Sequence, residues 1–484
     1  MNSQTIVAPM TPAGVSAVAA LRVSGSKVRE VVKFLFGAAA EASLKPRQAN
    51  LGTARQNGNV IDSLLYIFFE GPNSYTGEDV LELYPHGNPL IVRELMQAIR
   101  SVDGVRLAEP GEYTRRAFLN GKMDLSQAES VADVIHSANL AELKNAHRLL
   151  SGALSKKVKV LTEQIKDISA RLELDVDFAE EEADPDYATW GKKIAAIRES
   201  VESIAKSFRG KAALGRLPLV VLYGAPNAGK SSLANALLGE DRILVSNIPG
   251  TTRDFVEVRL FLAGGEIRLV DTAGIADKAS DALDALSMEK SREILEEADL
   301  KILVLDGATQ SPAMQLATQS SATSLLPATP MSPAEQPQPT PDLVVLTKQD
   351  LWGATEVSEI AKPATEALEV AKFATAAPEG PKFISVSAKT GFGVDALAAT
   401  LNSRLFKENE NPEDLWITSE RERACLEDAL AGIDRALDLI RKNPAVELLA
   451  FEMQLVRRAL QSIVGEISSE DVLQSIFAGF CIGK

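Results

Sequence analysis

The sequence predicts a multidomain chain, α/β plus all-α, in which a small N-terminal α/β domain precedes a helical domain split by an inserted, parallel α/β domain. Three observations carry the prediction. Short apolar runs, "RLPLVVLYG", "EIRLVD", "LKILVLD", "DLVVLT" and "FISVSA", recur between helical stretches over residues 216–405; that alternation marks buried parallel strands joined by βαβ crossovers. Helical periodicity flanks this block on both sides. One stripe holds Leu125, Ala128, Val131, Ala132 and Ile135, the other Leu426, Ala429, Leu430, Ile433, Leu437 and Ile440. Neither buries well alone, and inserted domains leave their termini close together, so residues 121–215 and 406–484 are expected to pack as one domain. Finally, residues 1–120 mix β-type runs such as "VSAVAALRVSG", "SLLYIFFEGPNSYTG" and "DVLELYPHG" with turn clusters, as a compact α/β unit does.

With 484 residues, 45% of them hydrophobic, the chain has material for several cores, and an aromatic content of 5% makes aliphatic packing dominant. A formal net charge of -15 excludes a protein that coats nucleic acid by charge alone, so a nucleic-acid partner must be met by a local patch. The only cysteines, Cys425 and Cys481, exclude a disulfide framework and point to a reducing compartment. No basic segment with an apolar run opens the chain, and no stretch is apolar for long enough to span a bilayer. A cytoplasmic protein with no membrane partner is therefore expected. The Ser-, Thr-, Ala-, Gln- and Pro-rich residues near 307–341 are expected to form a disordered surface insertion.

The chemistry starts in the turn after "RLPLVVLYG". "GAPNAGKSS", Gly224 to Ser232, fits Gly-x-x-x-x-Gly-Lys-Ser between a strand and a helix, where backbone N–H groups of a glycine-rich turn cradle phosphates. Asn227, Ala228 and Gly229 line this cradle, Lys230 brings charge to the β and γ phosphates, and Ser231, next to Ser232, offers a magnesium ligand. "DTAG" (Asp271, Thr272, Ala273 and Gly274) stands at a strand end, where the carboxylate can support the magnesium shell and an N–H can meet the γ-phosphate. "GTTRD", Gly250 to Asp254, supplies a switch threonine. "TKQD" fills the place of the base-reading Asn-Lys-x-Asp motif, keeping Lys348 and Asp350 but putting Thr347 where asparagine is usual. "SAK" (Ser387, Ala388 and Lys389) follows the last strand. A carboxylate pairs with both guanine N–H donors in a way adenine cannot match, so GTP is the expected nucleotide, with affinity or selectivity reduced by the threonine. This ordering resembles the translation-factor class of GTPases.

"TIVAPMTPAGVSAVAALRVSG", "GPNSYTGEDVLEL", "PGEYTRRAFLNGKMDLSQAESVADVI" and the terminal "FCIGK" extend the likeness: nearly the whole chain resembles the tRNA modification GTPase MnmE (TrmE) family. The resemblance implies a homodimer held largely through N-terminal domains that bind formyl-tetrahydrofolate. It implies that, in a heterotetramer with the FAD protein MnmG, the protein installs an aminomethyl or carboxymethylaminomethyl group at position 5 of the wobble uridine of certain tRNAs. Carried over by motif, the folate contacts are Arg22, Glu82, Lys122 and Lys484. The family's hydrolysis is activated by potassium. Asn227 corresponds to its side-chain ligand, and Ser246, Asn247, Ile248, Pro249, Gly250 and Thr251 to the closing loop, with Ser246, Ile248 and Thr251 as further ligands; Ser231 and Thr252 correspond to the magnesium ligands. Ile275 stands where Ras-like proteins carry a water-orienting glutamine. The best match to the family's switch glutamate is Asp284, one methylene shorter and across an apparent insertion. Asp284 is open to two readings, a catalytic acid or an exposed helix carboxylate.

Cys481 stands where a prenylated cysteine would, but the final Lys484 departs from a lipid-attachment box. If "SEDVLQSIFAGF" leads the tail back to the one-carbon site, Cys481 is either a nucleophile or a packed neighbour. The alternative to a modifying enzyme is a GTP-regulated RNA or ribosome-assembly switch without modification chemistry.

Overall fold

The computed structural model describes residues 4–177, 187–210, 216–239, 256–271, 293–307, 341–352, 382–406, 415–442 and 446–483. The chain divides into two units. Met1–His136, Leu143–Lys211 and Leu415–Lys484 form the first, and Ser137–Glu142 with Ala212–Asp414 the second. Most of the low-complexity stretch, residues 308–340, lies outside the described residues.

The first unit opens with β1 (Thr5–Pro9), β2 (Ser16–Val18), β3 (Leu21–Ser24), α1 (Val28–Phe36), α2 (Ala38–Ala42), β4 (Ala49–Gln56), β5 (Asn59–Phe69), β6 (Val80–Tyr84), β7 (His86–Gly87), α3 (Pro89–Arg100), β8 (Val105–Leu107) and α4 (Glu112–Leu119). Six of these strands form a sheet in the order β4-β5-β6-β3-β1-β8. Its pairs are antiparallel except β1 with β8. Period-two alternation along β5 turns Leu64, Tyr66 and Phe68 inward. Val28, Val31, Val32 and Leu35 recur at helical spacing on α1, and both sets share one core. That shared burial fixes the register that sets Arg22 of β3 opposite Glu82 of β6.

The second unit holds β9 (Leu219–Tyr223), α9 (Lys230–Leu238), β10 (Val256–Leu262), β11 (Gly265–Asp271), β12 (Leu300–Asp306), β13 (Leu343–Thr347), α10 (Gln349–Trp352), β14 (Lys382–Ser385) and α11 (Val394–Leu405). The sheet order is β10-β11-β9-β12-β13-β14. β9 and β13 are buried along their whole length, as continuous apolar runs between two helical layers should be. The expectation of a parallel sheet holds for five strands and fails at β10. That strand pairs antiparallel with β11 because only Ala263 and Gly264 separate their paired ends, a loop long enough for a hairpin but not a crossover.

Helices α5 (Leu125–His136), α6 (Leu140–Leu150), α7 (Ala153–Asp177) and α8 (Tyr187–Lys206) precede the Ala212–Asp414 segment in sequence; α12 (Glu420–Arg441), α13 (Val446–Val464) and α14 (Glu470–Ala478) follow it. Leu154, Val158, Leu161 and Ile165 of α7 share one core with Leu426 and Ile433 of α12 and with Leu449, Met453 and Val456 of α13. The two helical stretches therefore complete each other. Polar contacts reinforce the join: Arg421 of α12 meets Glu129 of α5 in a bidentate ion pair, with both N···O distances 3.0 Å, and donates to the Ser462 and Ile463 carbonyls at the end of α13. No described helix is long and apolar enough to cross a membrane.

Candidate functional site

The phosphate loop begins where β9 ends. Gly224 sits at φ +141, and a Cβ there would lie 2.3 Å from the Val304 carbonyl oxygen, so the chain can turn away from the sheet here only without a side chain. Asn227 adopts a left-handed φ of +62, and Gly229 caps α9. Lys230, buried, folds its Nζ back to the Gly224 and Ala225 carbonyls at 2.9 Å each, which places its charge over the loop's opening residues. Ser231 donates to the Asp271 carboxylate at 2.5 Å. A hydroxyl and a carboxylate oxygen so placed form a hard donor pair of the kind magnesium takes. Ser232 is exposed on the first turn of α9.

The opposite side of the loop is held by β13 and the turn after β14. Thr347, buried, donates to the Ala228 carbonyl at 2.5 Å, with the Leu305 carbonyl at 3.1 Å. Lys348, at φ +59, gives its Nζ to Asp306 Oδ2 at 2.6 Å. Ser387 donates to Asp350 Oδ1 at 2.6 Å, and that hydroxyl holds the Asp350 carboxyl below the usual carboxylate range. Ala388 and Lys389 lie on the same turn, closed by Gly391 N donating to the Ser387 carbonyl. The structure thus gathers Ala228, Lys230, Ser231, Asp271 and Thr347 around one loop, with the Asp350–Ser387 pair on the segments that follow β13 and β14. Residues 246–252, 272–274 and Asp284 lie outside the described residues.

In the first unit, Arg22 and Glu82 meet at 2.8 Å, with side chains 12% and 14% exposed. Tyr84 donates to the second oxygen of Glu82 at 2.5 Å; burial, then that bond, pushes its phenol up to about 12. The Arg22 guanidinium lies 4.9 Å from the Tyr75 ring and 5.7 Å from the Tyr113 ring. Tyr113 donates to the Arg22 carbonyl at 2.6 Å, and burial pushes its phenol up as well. Lys122 reaches the β5–β6 loop that carries Tyr75, donating to the Pro72 carbonyl at 2.8 Å. The loop from Pro72 to Thr76 therefore bridges Lys122 and the Arg22–Glu82 pair. Motif reading missed the three tyrosines, although Tyr75 and Tyr113 stand inside "SYTGED" and "PGEYTRRAF".

The tail docks on this unit. Phe477 and Phe480 join Leu125, Ala128 and Val131 in one cluster, and Gly483, at φ +100, packs so closely on β1 that a Cβ would fall 2.3 Å from the Pro9 carbonyl oxygen. Pro9 pairs with Leu21, and Ala8 with Arg22, so Gly483 lies one register position from Arg22. Cys481 is exposed, its Sγ 4.0 Å from His136 Nε2; that neighbour was not legible from the sequence because α5 and the tail are far apart along the chain. Lys484 lies outside the described residues.

The strand order, the glycine loop capping α9 and the Ser231–Asp271 pair define a P-loop nucleoside triphosphate hydrolase fold. A family model for the MnmE helical domain matches residues 125–481, and one for the GTP-binding protein TrmE N-terminus matches residues 5–122. A tRNA modification GTPase MnmE from Erwinia tasmaniensis is 36% identical over 489 residues, covering 100% of each chain. Solved structures that overlap the chain include a nucleolar GTP-binding protein 1 from Plasmodium falciparum, with 18% identity over 39% of this chain and 87% of that one and a TM-score of 0.27. Another is the G domain of the T. maritima FeoB iron transporter, with 25% identity over 39% and 99% and a TM-score of 0.24. The chain belongs to the MnmE (TrmE) family of tRNA modification GTPases.

Proposed function

We propose that this GTPase, activated by potassium and working in the cytoplasm with MnmG, modifies position 5 of the wobble uridine of certain tRNAs, using a one-carbon unit from formyl-tetrahydrofolate. The observation that carries this reading is the packing of Gly483 on Pro9 of β1, one pairing position from Arg22, whose side chain joins Glu82 and Tyr84. A carboxylate fixed between a guanidinium and a phenol suits the donor edge of a pterin, and Lys122 with Lys484 suits the acidic tail of a folate. When bound, the folate supplies the one-carbon unit. The chain's own residues orient it, and the docked tail sets Cys481 beside His136 of α5.

At the nucleotide, Lys230 and the loop N–H groups hold phosphates, Ser231 and Thr252 are assigned to magnesium, and Asn227, Ser246, Ile248 and Thr251 to potassium. A cation beside the phosphates neutralises charge that develops in the transition state. Asp284 is the proposed switch acid. A homodimer fits the outward face of the sheet edge, where Leu51 of β4 and Leu65 of β5 are register partners, 75% and 48% exposed.

Mass spectrometry of tRNA nucleosides from a deletion strain tests the reading. Loss of a 5-substituted wobble uridine, restored by the wild-type chain, is expected. Persistence of every modified wobble uridine overturns it, and GTP turnover that requires ribosomal RNA instead points to an assembly switch.

A further inference from the structure

Thr347 carries one hydroxyl hydrogen, and two backbone carbonyls face it. The Ala228 oxygen lies at 2.5 Å and the Leu305 oxygen at 3.1 Å, with the residue only 3% exposed. Whichever carbonyl takes the hydrogen, it is used inside the protein, and the shorter contact assigns it to Ala228. The hydroxyl oxygen then has only acceptor capacity left. The adjacent cation is also engaged, since Lys348 Nζ sits on Asp306.

Guanine presents acceptors at N7 and O6 on one edge and N–H donors on the other. An asparagine at position 347 would carry two amide hydrogens, enough for the loop carbonyl and for a base acceptor together. Threonine can serve the loop alone. We propose that Thr347 is a positioning residue that ties the base-binding segment to the phosphate loop, and that this GTPase selects guanine without reading N7. The inference rests on Asp350 as reader of the N–H edge, held for that role by Ser387.

Competition against a fluorescent GDP, using the full chain, tests this with GTP, 7-deaza-GTP, ITP and ATP. For the wild type, GTP and 7-deaza-GTP are expected to bind within about twofold of one another, because no donor is lost. T347N is expected to favour GTP over 7-deaza-GTP by about three- to tenfold, the range of one added hydrogen bond. T347V, close in shape, weakens both guanine nucleotides by the same factor, and T347S restores them. A wild-type preference for GTP over 7-deaza-GTP of about fivefold or more, with ITP still discriminated, overturns the N7 claim alone. ITP and ATP binding as tightly as GTP overturns the Asp350 reading, and the proposal with it.

Discussion

Arg22 and Glu82 are register partners on adjacent antiparallel strands, and their side chains close on each other at 2.8 Å between the rings of Tyr75 and Tyr113 on one side and the Tyr84 hydroxyl on the other. The pair is nearly dry, so each charge needs the other. Removing one partner of such a pair leaves the second uncompensated, at a cost of about 3 kcal/mol. That structural role must be separated from ligand binding.

R22A is expected to lower the melting temperature and to abolish formyl-tetrahydrofolate binding in calorimetry, while GTP turnover stays at the wild-type rate. The double variant R22M/E82L removes both charges and is expected to recover most of the stability without recovering folate binding. Folate affinity retained in R22M/E82L would remove the pair from the one-carbon site and leave it a purely structural bridge.

The tail offers a second test. Gly483 combines φ +100 with a Cβ position 2.3 Å from the Pro9 oxygen, so G483A must lift the tail off β1. Folate affinity weakened about tenfold, or about 1.4 kcal/mol, is expected in calorimetry. C481S leaves the docking contacts intact and is expected to bind folate normally but to fail in tRNA modification. Normal modification by C481S would make Cys481 a packed neighbour of His136 and nothing more.

These contacts show where sequence ran ahead of structure and where it fell short. The glycine loop, the Asp271 strand end and the split helical stripe were legible because each depends on local spacing: a turn, a strand terminus, a period of three to four residues. β10 was missed because "VEVRLFL" alternates polar and apolar residues at a sheet edge, unlike the continuous apolar runs of the buried strands. Thr347 read as a defect when taken alone. Only the fold shows its hydroxyl on Ala228, a partner 119 residues away. The Cys481–His136 approach, across 345 residues, has no local signature at all.

Base selection is testable at Asp350. Its carboxylate accepts from Ser387 and retains lone pairs for two donors on one edge of guanine. D350N replaces one acceptor oxygen by an N–H donor, which clashes with the guanine amino group and suits the carbonyl that xanthine carries there. A loss of GTP affinity of about a hundredfold, with XTP gaining, is expected in the same competition assay. Undiminished GTP binding by D350N would place base reading elsewhere.

Stability should depend on pH through Glu422. This residue of α12 is 2% exposed and faces Glu129 and Asp133 of α5, with Arg421 already committed to Glu129. Burial, and then the Glu129 charge, pushes the Glu422 carboxyl up to about 8 from an ordinary 4.5. Between those values the folded chain holds a proton that the unfolded chain has released, so folding weakens as pH rises through the window and levels off above it. The slope from this one group is at most about 1.4 kcal/mol per pH unit. Melting temperatures measured from pH 5 to 9 are expected to fall with pH in the wild type and to fall much less in E422Q, whose amide mimics the protonated acid. An E422Q profile that tracks the wild type across this range would show that Glu422 ionises without penalty and that its burial between α5 and α12 does not control the proton.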